Sequence, residues 1–151
     1  MIRAVAASLM LLLGANVAAE GEDLYARCAA CHLPDGAGIP GIFPPLKDRL
    51  ESIAATNAGR DYVVMTVIGG LIGAIEIDGI TYRGVMPAQV LSDAEIATVL
   101  NYIVLSIGGE TTDDWRSYSE AEVAEIRQRH TKPTGQSVLL MRENVPGLAS
   151  E

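Results

Sequence analysis

Apolar residues recur along this chain at two spacings, and the stretches between them are rich in glycine and proline. Behind Ser92-Asp93-Ala94-Glu95, a serine followed three places on by a glutamate, Ile96, Val99, Leu100 and Ile103 stand at i, i+3, i+4 and i+7. That is a capped helix with one apolar face, predicted from about Asp93 to Ile107. Ser119-Glu120-Ala121-Glu122 repeats the capping pattern with Val123 and Ile126 on one face, so a further helix is expected to about Arg129. Tyr62, Val63, Val64, Met65, Val67 and Ile68 predict a helix from about Gly59 to Ile68, buried on much of its circumference and broken by Gly69-Gly70. Ile75 to Tyr82 alternates around Asp78-Gly79, the signal of a short β-hairpin. From Leu33 to Pro45 periodicity gives way to Pro34, Gly36, Gly38, Pro40, Gly41, Pro44 and Pro45, which predicts a loop wrapped around something. Beyond Thr131, Lys132-Pro133-Thr134-Gly135 and Val138-Leu139-Leu140-Met141 read as a tail, an arm lying on the domain or on a partner.

The N-terminus adds an address. Met1-Ile2-Arg3 carries positive charge, Ala4 to Leu13 is apolar, and Val17-Ala18-Ala19 offers small residues for cleavage, which is the pattern of an export signal over residues 1–19. Its apolar run is shorter than the roughly 20 residues of a membrane span, so no span is expected in the mature chain. The remainder, residues 20–151, suffices for one domain with its own core. The chain of 151 residues has 11 basic and 19 acidic side chains, a net charge of −8. That balance argues against nucleic acid as a partner. It suits a basic patch on a partner protein, or simply solubility.

Cys28-Ala29-Ala30-Cys31-His32 changes the picture, because C-x-x-C-H is the attachment sequence for c-type haem. Two thiols three residues apart on one helical turn can each form a thioether, and the histidine that follows can reach the iron. Structural zinc wants four Cys or His ligands, and the chain offers only these three and the distant His130. A thioredoxin-like dithiol should follow a strand, whereas a polar helix start, Gly21 to Tyr25, precedes this motif. Export fits the cofactor, since c-type haem resides outside the cytoplasm in bacteria. Met86 is the candidate second axial ligand: Pro87 disfavours helix at Met86, and Gly84 permits close approach of the chain. Met65 sits in an apolar helix and reads as core filling, Met141 lies in the tail, and His130 reads as a solvated histidine at a helix end. The ring of His32 needs a hydrogen-bond acceptor to orient it, and the carbonyl of Pro44 or of Pro45 could serve.

In this order, the Cys28-x-x-Cys31-His32 motif, the proline-containing loop, Tyr82-x-Gly84-Val85-Met86-Pro87 and the Ser92-x-x-Glu95 helix resemble a monohaem class I cytochrome c over about residues 21 to 108. The resemblance implies an all-α fold of three to five helices around one covalent haem c with a short β-hairpin, a cytochrome domain over residues 20–108, to which this chain adds an extension over 109–151 with a helix at about 119–129 and a tail. It implies that the first helix crosses the one after the methionine loop, setting Leu24 and Tyr25 against Tyr102, and that Pro44 supplies the carbonyl. The function implied is periplasmic electron transfer with His32 and Met86 on the iron and no catalytic residues. The extension is similar to those of cytochrome subunits serving periplasmic dehydrogenases and nitrite reductases. The expectation is therefore a cytochrome subunit, or a dedicated electron acceptor, of an exported oxidoreductase with a redox protein as partner. The alternative is a haem enzyme or gas-binding sensor with open iron, which would require Met86 to be off the metal.

Overall fold

Helix α1 covers residues 18–32 and carries the C-x-x-C-H motif on its last turns. The computed structural model describes residues 18–109 and 111–148, so positions 1–17 of the expected signal lie outside it. α1 stops at Leu33, whose φ of 65° turns the chain out of the helix. The Tyr25 hydroxyl donates to the Leu33 carbonyl at 2.8 Å and ties that turn to the helix. A short helix α2, Leu50–Ile53, leads into α3, Asn57–Gly69, whose first turn is capped by the Thr56 hydroxyl accepting from the Gly59 N–H. Two small antiparallel ladders follow. Strand β2, Ile75–Ile77, pairs with β3, Ile80–Tyr82, as the hairpin expected around Asp78-Gly79. Outside it β1, Leu71–Ile72, pairs with β4, Val85–Met86, setting Leu71 opposite Met86.

Helix α4, Asp93–Tyr102, begins with the reciprocal cap expected of its sequence, the Ser92 hydroxyl accepting from the Glu95 N–H while the Glu95 carboxylate accepts from the Ser92 N–H. Its last stretch departs from the regular helix expected to Ile107. Residues Ile103–Ile107 form a π-helical turn in which the Gly108 N–H reaches back five residues to the Ile103 carbonyl at 2.7 Å. α1 crosses α4 as the resemblance implied: the rings of Tyr25 and Tyr102 have centroids 5.9 Å apart. The crossing is close because position 21 is glycine, where an added Cβ would lie 2.6 Å from that of Tyr102.

The region after α4 is part of the same core. α5, Glu120–Arg129, follows the expected cap at Ser119. The tail expected as an arm instead contains a helix, α6, Gly135–Arg142, whose cap is Thr134 with Ser137 returning the bond to the Thr134 N–H. A serine in place of glutamate at the third helical position hides that start from a pattern search. Val123, Ile126, Val138 and Val145 are at most 1% exposed and join the cluster formed by Val64, Ile96 and Leu100. α6 lies on α3 so closely that a Cβ at Gly69 would stand 2.8 Å from the Cβ of Pro133.

Charge fixes α5 to α3. Arg60 is 4% exposed and donates from Nε and Nη2 to the Glu122 carboxylate at 2.6 and 2.8 Å, and from Nη1 to the Arg116 carbonyl at 2.9 Å. Its guanidinium lies 3.8 Å from the centroid of the Tyr118 ring. At the other end of α5, Arg129 and His130 both contact Asp61 at 2.7 Å, so the half-exposed His130 is a tether to α3 rather than a freely solvated ring.

Candidate haem site

The last turns of α1 form one wall of an apolar cavity, and Cys28, Cys31 and His32 all face it. The opposite wall comes from α3, α4 and the methionine loop, including Tyr62, Val63, Leu100, Ile103 and Met86. About 1300 Å³ is left unfilled between them, the open mouth included. The sequence folds this way because α1, α3 and α4 each turn an apolar face to the same point, while the Leu33–Pro45 loop closes the side beneath His32.

That loop is held by its own backbone. The Gly38 N–H donates to the His32 carbonyl at 3.0 Å, and Ile39 and Phe43 bridge across the turn. Gly38 has φ of 65°, and a Cβ there would stand 2.4 Å from the Phe43 carbonyl oxygen, so only glycine fits. The result brings the Pro44 carbonyl, not that of Pro45, to 2.8 Å from Nδ1 of His32. The Nδ1–H donates this bond, which fixes the tautomer and leaves Nε2 unprotonated, with its lone pair available. Burial lowers the basicity of His32 more than the Pro44 hydrogen bond raises it, so the imidazole is held in the neutral form that binds metal. The Cys28 thiol is pushed up by burial, against the pull of Arg27 and with the help of Cys31.

Met86 reaches the cavity from β4, in the extended backbone that Pro87 favours. Gly70 makes room for it: with φ of 73°, it admits no Cβ, which would fall 2.4 Å from the Met86 carbonyl oxygen. Met65 is fully buried in the core, and Met141 is half-buried against it. Among the described residues Met86 is the only methionine on the cavity wall. It also lines a smaller adjoining recess with Phe43 and Pro44, bordered by Ile42 and Val85, which are 53% and 64% exposed. His130 lines neither space. Among the described residues no three His, Cys, Asp or Glu side chains are arranged so that they could together hold a metal ion. The wall also takes residues that nothing in the sequence points to, among them Arg142 and Leu148, which arrive from α6 and the segment after it. A lone arginine and a lone leucine in a region without a recognised helix carry no signal of their own.

Two thiols and an imidazole on one helical turn, an oriented Nε2, and apolar walls fit a flat, largely apolar macrocycle bound through its vinyl groups: this is the architecture of a covalent haem protein. The comparisons agree. The cytochrome c family model matches residues 18–106. The chain is 40% identical over 139 residues to cytochrome c-552 of Thermus thermophilus, covering 89% of this chain and 93% of that one. It is 28% identical over 126 residues to the cytochrome c subunit of a quinone alcohol dehydrogenase from Gluconacetobacter polyoxogenes, covering 78% of this chain and 24% of that one. The chain belongs to the cytochrome c family, with the class I fold, and is an electron carrier with covalently bound haem c.

Proposed function

We propose that Cys28 and Cys31 carry the two thioethers, that His32 Nε2 and Met86 are the axial ligands, and that the chain passes single electrons between proteins outside the cytoplasm without catalysis of its own. The bound haem supplies one-electron Fe(III)/Fe(II) chemistry, with a potential raised by thioether ligation. The observation that carries the reading is the shared cavity. His32, oriented by Pro44, and Met86, held by the Leu71 ladder, line one apolar space with both cysteines. With His32 and Met86 both holding the iron, no coordination position would remain for a substrate, which disfavours the open-iron enzyme or sensor. The signal-like residues 1–19 support export to the periplasm.

The fold favours a dedicated carrier, serving an exported oxidoreductase as electron acceptor, over a fixed subunit. The extension spends its apolar residues on its own core, with Val123, Ile126, Val138 and Val145 all buried. The exposed apolar border of Ile42 and Val85 beside Met86 suits brief docking on a redox partner. The test is the absorption spectrum of the oxidised protein. A weak sulfur-to-iron band at its red end, lost in Met86→Ala, is expected; its absence from the unmodified protein would overturn Met86 as ligand.

A further inference from the structure

Arg142 is a buried cation without a buried anion. It is 8% exposed, lines the cavity, and donates from Nη1 to the Leu148 carbonyl and from Nη2 to the Glu76 carbonyl at 2.7 Å. Among the described residues no carboxylate lies within ion-pair distance of it. Carbonyl oxygens satisfy its N–H groups but not its charge, and a desolvated charge is costly without an opposite one. The other arginines on the cavity differ: Arg49 is paired with Asp78 at 2.7 Å, and Arg27 is exposed. The charge of Arg142 also reaches the buried Tyr62 on α3, where it opposes the rise that burial imposes on the hydroxyl.

From this geometry we infer that Arg142 is the counter-charge for one haem propionate, so that the C-terminal helix, beyond the residues the family model matches, positions the haem's acidic edge and sets its potential. The inference rests on the haem c of the family and not on the axial assignment. Propionates are the only anionic substituents at the edge of the macrocycle, and a planar guanidinium is suited to a carboxylate. Paired there, Arg142 opposes the extra positive charge of the ferric state and favours the ferrous one.

The test uses the holoprotein. In Arg142→Gln the ferrous-to-ferric ratio at fixed ambient potential should fall roughly tenfold, a drop of about 59 mV for one electron. The redox-induced infrared difference spectrum, with the haem propionates isotopically labelled, should shift its carboxylate band in the same variant. Arg142→Lys should recover most of the potential, and Glu151→Gln should change neither reading. Where Arg142→Gln yields no folded holoprotein, the labelled band in Arg142→Lys decides, since lysine keeps the charge but not the planar fork. A band that stays in place in a folded variant overturns the proposal, as does a Glu151→Gln variant that reproduces the arginine effect. Failure of the axial assignment is read separately, in the sulfur-to-iron band.

Discussion

At the scale of the residue, chemistry was written in spacing, and the partners of single charges were not. Met86→Ala should leave haem covalently attached while lowering the potential and opening the iron to carbon monoxide, measured by redox titration and by the spectrum under the gas. Cys28→Ala and Cys31→Ala should each leave at most one thioether, seen as reduced haem staining on denaturing gels. Arg60→Met removes a nearly buried guanidinium from Glu122, the Arg116 carbonyl and the Tyr118 ring, and should cost about 3 kcal/mol of unfolding free energy in denaturant titrations. Burial raises the Glu122 carboxyl, but bonding to Arg60 and the charges of Arg60 and Arg116 outweigh it and hold the group below its ordinary value. The sign follows: this pair's stabilisation is full above the unfolded value of about 4.3 and is lost as pH falls through the lower folded one. That Met86 and His32 reach the cavity is foreshadowed by Pro87 and Gly84 in the one case and by the two cysteines in the other. The partners of Arg60 and Arg142 are not, because an arginine in a helix gives no hint of what stands 62 or 66 residues away.

At the scale of the element, regular spacing was legible and improvised geometry was not. α3, α4, α5 and the β2–β3 hairpin declared themselves by period and cap. The β1–β4 ladder is two residues long on each side, too short to show alternation, and depends on Gly70 to let the strands meet. α6 was hidden behind Lys132-Pro133 and a serine cap. Its importance follows from magnitude. Val123, Ile126, Val138 and Val145 at about 1.5 kcal/mol or more each sum to about 6 kcal/mol, comparable with the whole stability of a small domain. Truncation before Asp113 should therefore abolish cooperative folding and the native haem spectrum, checked by thermal melts in circular dichroism. A truncated chain that melts at the full-length temperature would show α5 and α6 to be dispensable.

At the scale of the molecule, the charge of −8 should set how fast a basic redox partner is found. Reduction or oxidation by a basic protein partner should slow as ionic strength rises to about 0.15 M, where the screening length is about 8 Å, with the limiting rate inside the complex little changed. Stopped-flow traces across salt would check this, and a salt-independent association rate would assign the acidity to solubility alone. The cavity has a further consequence, for the order in which the protein is built. Its walls take Cys28, Cys31 and His32 from one end of the described chain and Arg142 and Leu148 from the other, so the chamber does not exist until the chain has closed on itself. Contacts so distant in sequence must close a long loop of chain, which makes them slow to form. The expected order of assembly is therefore haem attachment to the still open α1 first, with α6 and the segment after it completing the far wall around the pigment afterwards.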